Sequence, residues 1–147
     1  MEIGIIGAGN IGSTLAGYFT AMGHEVCIAN SRGPNTLQDI SAKTGAKAVT
    51  VEHAAGAKDL VILAIPQKAI TNLPQAIFTS SNAIIVDAGN YYPSRDGHID
   101  AILEGMTDSE WVAQTIGCPV IKAFNNIVAS SLATKGAPAG SKHRIAL

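Results

Sequence analysis

Apolar residues along this chain recur in two alternating rhythms. Ile3-Gly4-Ile5-Ile6 is a compact run that reads as a short buried strand. From Asn10 the period changes, and Ile11, Leu15, Phe19 and Met22 recur at helical spacing. Gly23 is placed to stop that helix in a left-handed conformation. Glu25-Val26-Cys27-Ile28-Ala29 is a second strand. Pro34 suits the first turn of the next helix, where its missing N–H is not needed; Leu37 and Ile40 face inward and Gly45 ends it. Residues 47–49 form a weak third strand. Asp59 leads into Leu60-Val61-Ile62-Leu63-Ala64-Ile65, closed by Pro66. An uninterrupted apolar run of this kind is buried on both faces, as in a parallel sheet. A short helix perturbed by Pro74 follows, then a fifth strand, Ile84-Ile85-Val86-Asp87. Residues 90–96 read as a polar, aromatic loop. Thr107 and Glu110 have capping-box spacing ahead of Trp111, Ala113 and Ile116. Residues 119–124 predict a sixth strand, 127–132 a short helix and 136–140 a loop. His143-Arg144-Ile145-Ala146-Leu147 looks like the opening of one more strand.

Strand and helix in alternation predict an α/β fold: a Rossmann-like, doubly wound, mostly parallel sheet with helices on both faces. The length of 147 residues suits one domain over 1–147, and 47% hydrophobic with 14% charged residues is enough to bury a sizeable core. A formal net charge of −1, without runs of like charge, leaves no electrostatic footprint for nucleic acid or an anionic membrane. No stretch approaches the ~18 consecutive apolar residues of a membrane helix. The N-terminus, with acidic Glu2 and glycine breaks, reads as a strand rather than a signal peptide. Cys27 and Cys118 lie in apolar stretches and read as buried free thiols, which fits a cytoplasmic setting. The histidines share no ligand spacing, so no metal site is expected.

Gly7-Ala8-Gly9-Asn10-Ile11-Gly12 fits the dinucleotide fingerprint G-x-G-x-x-G. Gly7 permits the tight turn out of the strand, Gly9 lets the backbone approach a pyrophosphate, and Gly12 lets the helix pack closely on the sheet. The helix N-terminus then offers N–H groups to the phosphates. The loop follows a strand, opens a helix and is succeeded by a second strand, which is the context that gives the motif meaning. A site for NAD carries an acidic residue ~20 residues beyond the loop, bonded to the ribose 2′-hydroxyl. Here that turn reads Asn30-Ser31-Arg32-Gly33, with no acid. A guanidinium can clasp a 2′-phosphate that a carboxylate would repel, so NADP(H) is the predicted cofactor. The bland alternative is an exposed turn with a solvated arginine.

Ligands of open α/β sheets bind beyond the carboxyl ends of the strands. That singles out Ala64-Ile65-Pro66, Ala88-Gly89-Asn90 and Phe124-Asn125-Asn126. Ile65 and Pro66 would pack on the nicotinamide ring, Ala88 and Gly89 would admit the cofactor to the backbone, and Asn90 and Asn125 would bond its carboxamide or ribose. Each asparagine has an alternative as a turn or cap residue. Asp87 more often ties down a loop than acts as a base, and Lys122 has an equally good alternative as a side chain reaching the surface. Tyr91 and Tyr92 line a planar-substrate pocket or pack the loop. With no acid/base pair evident, no catalytic side chain is assigned; direct hydride transfer between stacked rings needs geometry above all.

The fingerprint, Asn30-Ser31-Arg32-Gly33-Pro34, Asp87-Ala88-Gly89-Asn90-Tyr91-Tyr92-Pro93 with Arg95-Asp96-Gly97, and Lys122-Ala123-Phe124-Asn125-Asn126 occur in this order. In these segments the chain resembles the coenzyme F-420-dependent NADP oxidoreductase family, in its bacterial dinucleotide-binding branch. The resemblance implies NADP held by Ser31 and Arg32, with the nicotinamide near Ile65, Pro66, Ala88 and Asn125. It implies hydride exchange with a small acceptor: a deazaflavin (coenzyme F-420), a flavin, or a carbonyl or imine compound. Relatives are often dimeric, so a homodimer is among the expectations. Family members continue past the position of Leu147 with further strand and helix, so the sequence is expected to be a fragment or a naturally shortened chain. Two other readings stand beside the oxidoreductase: an NADP(H)-binding, redox-sensing module without turnover, and the cofactor domain of an imine reductase.

Overall fold

The computed structural model describes residues 1–145. Six strands, β1 (Glu2–Ile6), β2 (Glu25–Ala29), β3 (Lys47–Ala48), β4 (Leu60–Leu63), β5 (Ile84–Asp87) and β6 (Ile121–Lys122), make one sheet. Their spatial order is β3-β2-β1-β4-β5-β6, and every pairing is parallel. The chain therefore starts at the sheet centre, winds outward through β2 to β3, and returns to wind the other way through β4. The crevice of such a sheet opens where the winding reverses, beside β1 at its carboxyl end. The register brings three exits side by side, because Ile6 lies opposite both Ala29 and Leu63.

Helices cover both faces because the strands are apolar on both. The first core joins Ile3, Ile5 and Ile28 to Leu15 and Ala16 of α1 (Asn10–Ala21), Leu37 of a 3-10 turn (Pro34–Leu37), and Leu132 of α8 (Ala129–Thr134). The helix α2 (Gln38–Thr44) continues from that turn. The second core joins Ile6, Val61 and Leu63 to Ala54 of α3 (Val51–Ala55), Ile70 of a 3-10 helix (Gln67–Asn72), Phe78 of α4 (Gln75–Thr79), and Val112 and Ile116 of α7 (Asp108–Ile116). Gly4 makes this layer close: a Cβ there would overlap the carbonyl oxygen of Ala54, so α3 lies directly on β1.

The doubly wound α/β fold is the one expected. Gly23 and Gly45 are left-handed, with φ of 85° and 75°, and Thr107 and Glu110 form a reciprocal capping box at the start of α7. Several expectations are corrected. Met22 lies beyond the end of α1 and is 69% exposed. The helix α3 was not foreseen; its five residues are too few to show a period, and Thr50 caps it by accepting the His53 N–H at 3.3 Å. One-turn helices α5 (Pro93–Asp96) and α6 (Asp100–Leu103) interrupt a stretch read as loop or left unassigned. The sixth strand keeps only two of its six expected residues, and beyond it Phe124 is left-handed, with φ of 65°. The last helix begins two residues later than expected, at Ala129. Residues 143–145 are not in a strand, and Ala146 and Leu147 lie outside the described residues. Both cysteines are free but only half-buried, and burial raises both thiol pKa values. Among the described residues no helix is long and apolar enough to cross a membrane.

Candidate functional site

Strand β1 ends at the glycine loop, and the loop's geometry follows from what each glycine faces. Gly7 has φ of 115° and donates its N–H to the Ala29 carbonyl at 2.9 Å, tying the loop to the end of β2. A side chain is excluded there by the Ala64 carbonyl. Gly12 is buried in the first turn of α1, where a Cβ would overlap the Gly7 carbonyl oxygen; the helix thus folds back onto its own loop. Gly9 differs from both. It has an extended backbone (φ −79°, ψ −167°), and the space a Cβ would occupy is open to 4 Å. No side chain caps α1 at Gly9, so its first N–H groups remain available to an anion.

The turn after β2 is built by Asn30. Its Oδ1 accepts the Arg32 N–H at 3.0 Å, and its Nδ2 donates to Thr36 Oγ1 at 3.0 Å; Thr36 Oγ1 in turn donates to the Gly33 carbonyl at 2.8 Å. Asn30 therefore shapes the turn, while Ser31 and Arg32 stand exposed on it. Among the described residues the Arg32 guanidinium makes no ion pair.

These pieces share one cleft of about 670 Å³ at the carboxyl end of the sheet. Of the predicted residues it is lined by Gly7, Ala8, Gly9, Asn30, Ser31, Arg32, Ala64, Ile65 and Pro66. Asn10, Ile11 and Gly12 stand behind the loop in α1 and do not line it. Val51, Glu52, Ala69, Asn72 and Leu73 also line it, and none was foreseen. They come from two short helical segments whose approach to the glycine loop is set by tertiary packing, so no local signal marks them.

Ala88, Gly89, Asn90 and Asn125 lie beside the cleft without lining it, beyond β5 and β6, with the Ile65 carbonyl 3.2 Å from where a Gly89 Cβ would be. Asn90 Nδ2 donates to the Asn125 carbonyl at 2.8 Å, and Asn125 Nδ2 donates to Asn90 Oδ1 at 3.3 Å. The two asparagines thus hold the two loops together. Asp87, buried at the end of β5, accepts the Gly89 N–H at 2.9 Å and pairs with Lys122 Nζ at 2.8 Å. Asp108 accepts the Tyr91 N–H at 2.9 Å, and Tyr91 donates its hydroxyl to the Gly97 carbonyl at 2.7 Å. Buried Asp96 receives Arg95 Nη2 at 2.7 Å and the Tyr92 N–H at 3.0 Å. Burial raises the Asp96 pKa, but the Arg95 and backbone hydrogen bonds outweigh it and hold the carboxyl below the usual carboxylate value. Gln67 is fully buried, with neither amide atom bonded among the described residues. Its Oε1 lies 2.8 Å from where a Gly89 Cβ would be, so the 88–90 turn lies against it.

The fold is shared with proteins of known structure. The chain is 39% identical to a hypothetical protein from Sinorhizobium meliloti, with a TM-score of 0.73 over 92% of this chain and 67% of that one. A candidate F420-dependent NADP-reductase from Arthrobacter sp. FB24 is 23% identical, with a TM-score of 0.73 over 95% of this chain and 69% of that one. The 3-hydroxyisobutyrate dehydrogenase of Mycobacterium tuberculosis is 16% identical, with a TM-score of 0.54 over 83% of this chain and 40% of that one. The last two likenesses establish the fold alone. No curated protein matches the chain. The family described as NADP oxidoreductase, coenzyme F420-dependent, matches residues 2–91, and the chain belongs to that family.

Proposed function

We propose that the cleft binds NADP(H) and that the protein transfers a hydride between this cofactor and a small acceptor. A deazaflavin of the coenzyme F-420 type is the first candidate, and a flavin or a small carbonyl or imine compound are the others. The observation that carries the reading is the placement of Ser31 and Arg32 in the same cleft as the glycine loop, on a turn without an acidic residue. Gly9 leaves open space at the start of an uncapped helix, which suits a pyrophosphate. Arg32 has no ion-pair partner among the described residues, and its planar fork fits a 2′-phosphate. Gly7, Gly9 and the α1 N-terminus would orient the diphosphate, Ser31 and Arg32 the adenosine ribose. Ile65 and Pro66 would give the rest of the cofactor an apolar, water-excluding surface. When bound, the reduced nicotinamide would supply the hydride, and the chain's part is to hold the ring in place.

Arg32→Ala tests the cofactor choice. A charged hydrogen bond is worth about 1.5–3 kcal/mol, so NADPH affinity should fall roughly 10- to 150-fold while NADH affinity changes little. Nicotinamide fluorescence titration reads both, and equal losses for the two cofactors refute the NADP assignment. Turnover is read by the loss of NADPH absorbance with deazaflavin, flavin and ferric acceptors. Tight NADPH binding with no oxidation by any of them would instead favour the sensing module.

A further inference from the structure

The cleft has a second wall that neither the diphosphate nor the 2′-phosphate calls for. Val51, Ala69 and Leu73 are half-buried apolar side chains along it, and Glu52 and Asn72 are the exposed polar ones. An apolar slot with polar groups at its rim suits a planar heteroaromatic ring, whose faces are apolar and whose edge is not. Val51 and Glu52 follow β3, on the β2 side of the sheet that carries Ser31 and Arg32. The ring nearest the ribose phosphate of NADP(H) is the adenine.

Glu52 is the acidic side chain on that wall. An ionised carboxylate only accepts hydrogen bonds. The Glu52 pKa is lowered by a backbone hydrogen bond at the start of α3 and by the Thr50 hydroxyl, so the group is ionised at neutral pH. Among the described residues it forms no ion pair, Arg32 included. Adenine presents a 6-amino donor along its edge, whereas hypoxanthine presents a carbonyl acceptor there, which a carboxylate repels. We propose that Glu52 accepts a hydrogen bond from the adenine 6-amino group, making the cleft selective for a 6-aminopurine dinucleotide over its 6-oxo analogue. This rests on the NADP(H) reading above and adds to it the residue that reads the base.

The test titrates NADPH and reduced nicotinamide hypoxanthine dinucleotide phosphate against the wild type, Glu52→Ala and Glu52→Gln, by nicotinamide fluorescence. Glu52 is exposed, so the variants should fold as the wild type does. The wild type should prefer NADPH by roughly tenfold, the worth of one charge-assisted hydrogen bond. Glu52→Ala should bring the ratio to about 1, and Glu52→Gln, whose amide can donate to a 6-oxo group, to 1 or below. Equal binding of both dinucleotides by the wild type overturns the proposal. So do variants that bind both analogues tighter, which would mean that Glu52 only repels the 2′-phosphate. If NADPH binding is tight and Arg32-dependent but indifferent to the base, the base reading alone fails. If the wild type does not bind NADPH at all, the cofactor reading fails with it.

Discussion

Two glycines of one loop should fail in opposite ways when each gains a methyl group. Gly12→Ala places a Cβ into the Gly7 carbonyl oxygen, and a Cβ fixed by its own backbone meets another backbone atom, so no rotamer relieves the clash. Either α1 must lift from the loop or the loop must open. Overpacking in a tight site costs about 1–3 kcal/mol and occasionally more, and a rigid carbonyl puts Gly12→Ala at the upper end. At about 3 kcal/mol the melting temperature of a domain this size should fall by roughly 6–12 °C. Gly9→Ala meets nothing within 4 Å, and its backbone is already in the extended region open to alanine. The free protein should be as stable as the wild type or gain up to about 1 kcal/mol, because alanine restricts the unfolded chain. Its new methyl, however, projects into the space proposed for the pyrophosphate, beside the uncapped start of α1. NADPH affinity should drop on the order of 10- to 100-fold, or about 1.4–2.8 kcal/mol. Urea denaturation reads stability, and fluorescence titration reads binding. Gly9→Ala binding NADPH like the wild type would remove the pyrophosphate from this loop. Gly9→Ala as unstable as Gly12→Ala would refute the division of roles.

Two further outcomes concern the scaffold around the site. Thr107→Ala removes the hydroxyl that accepts the Glu110 N–H at 3.3 Å and half of the capping box of α7, so urea denaturation should show a loss of about 1 kcal/mol without a change in NADPH affinity. Asp96 has a folded pKa below its unfolded one, so its stabilising effect is complete above the unfolded value of about 3.9 and is lost as pH falls through the folded value. The stability gap between wild type and Asp96→Asn, measured by urea denaturation from neutral pH downward, should therefore shrink below about pH 4; a gap constant with pH would refute that account.

Which parts of the molecule were legible in the sequence follows from how far each cause reaches along the chain. The β1–loop–α1–β2 unit could be read because its determinants are local: a short apolar run, a change of period at Asn10, and glycines at fixed offsets. The turn at Asn30 was legible for the same reason, although its side chain proves to shape the turn, with Ser31 and Arg32 left to face the cleft. Legibility ends where two segments remote in sequence meet. Asn90 and Asn125 stand after neighbouring strands, but nothing local shows that they bond each other across 35 positions. The same limit holds for Val51, Glu52, Ala69, Asn72 and Leu73. The five-residue helix α3 and the 3-10 helix after Pro66 are too short to carry a period, so nothing local points them at the glycine loop. What brings α3 there is Gly4, whose missing side chain lets the Ala54 backbone lie on β1. A glycine that looks like a weakness in a strand is thus the cause of the wall proposed to read the base. The diphosphate end of the cleft is written in a contiguous motif, whereas the base end depends on a packing contact between residues 4 and 54.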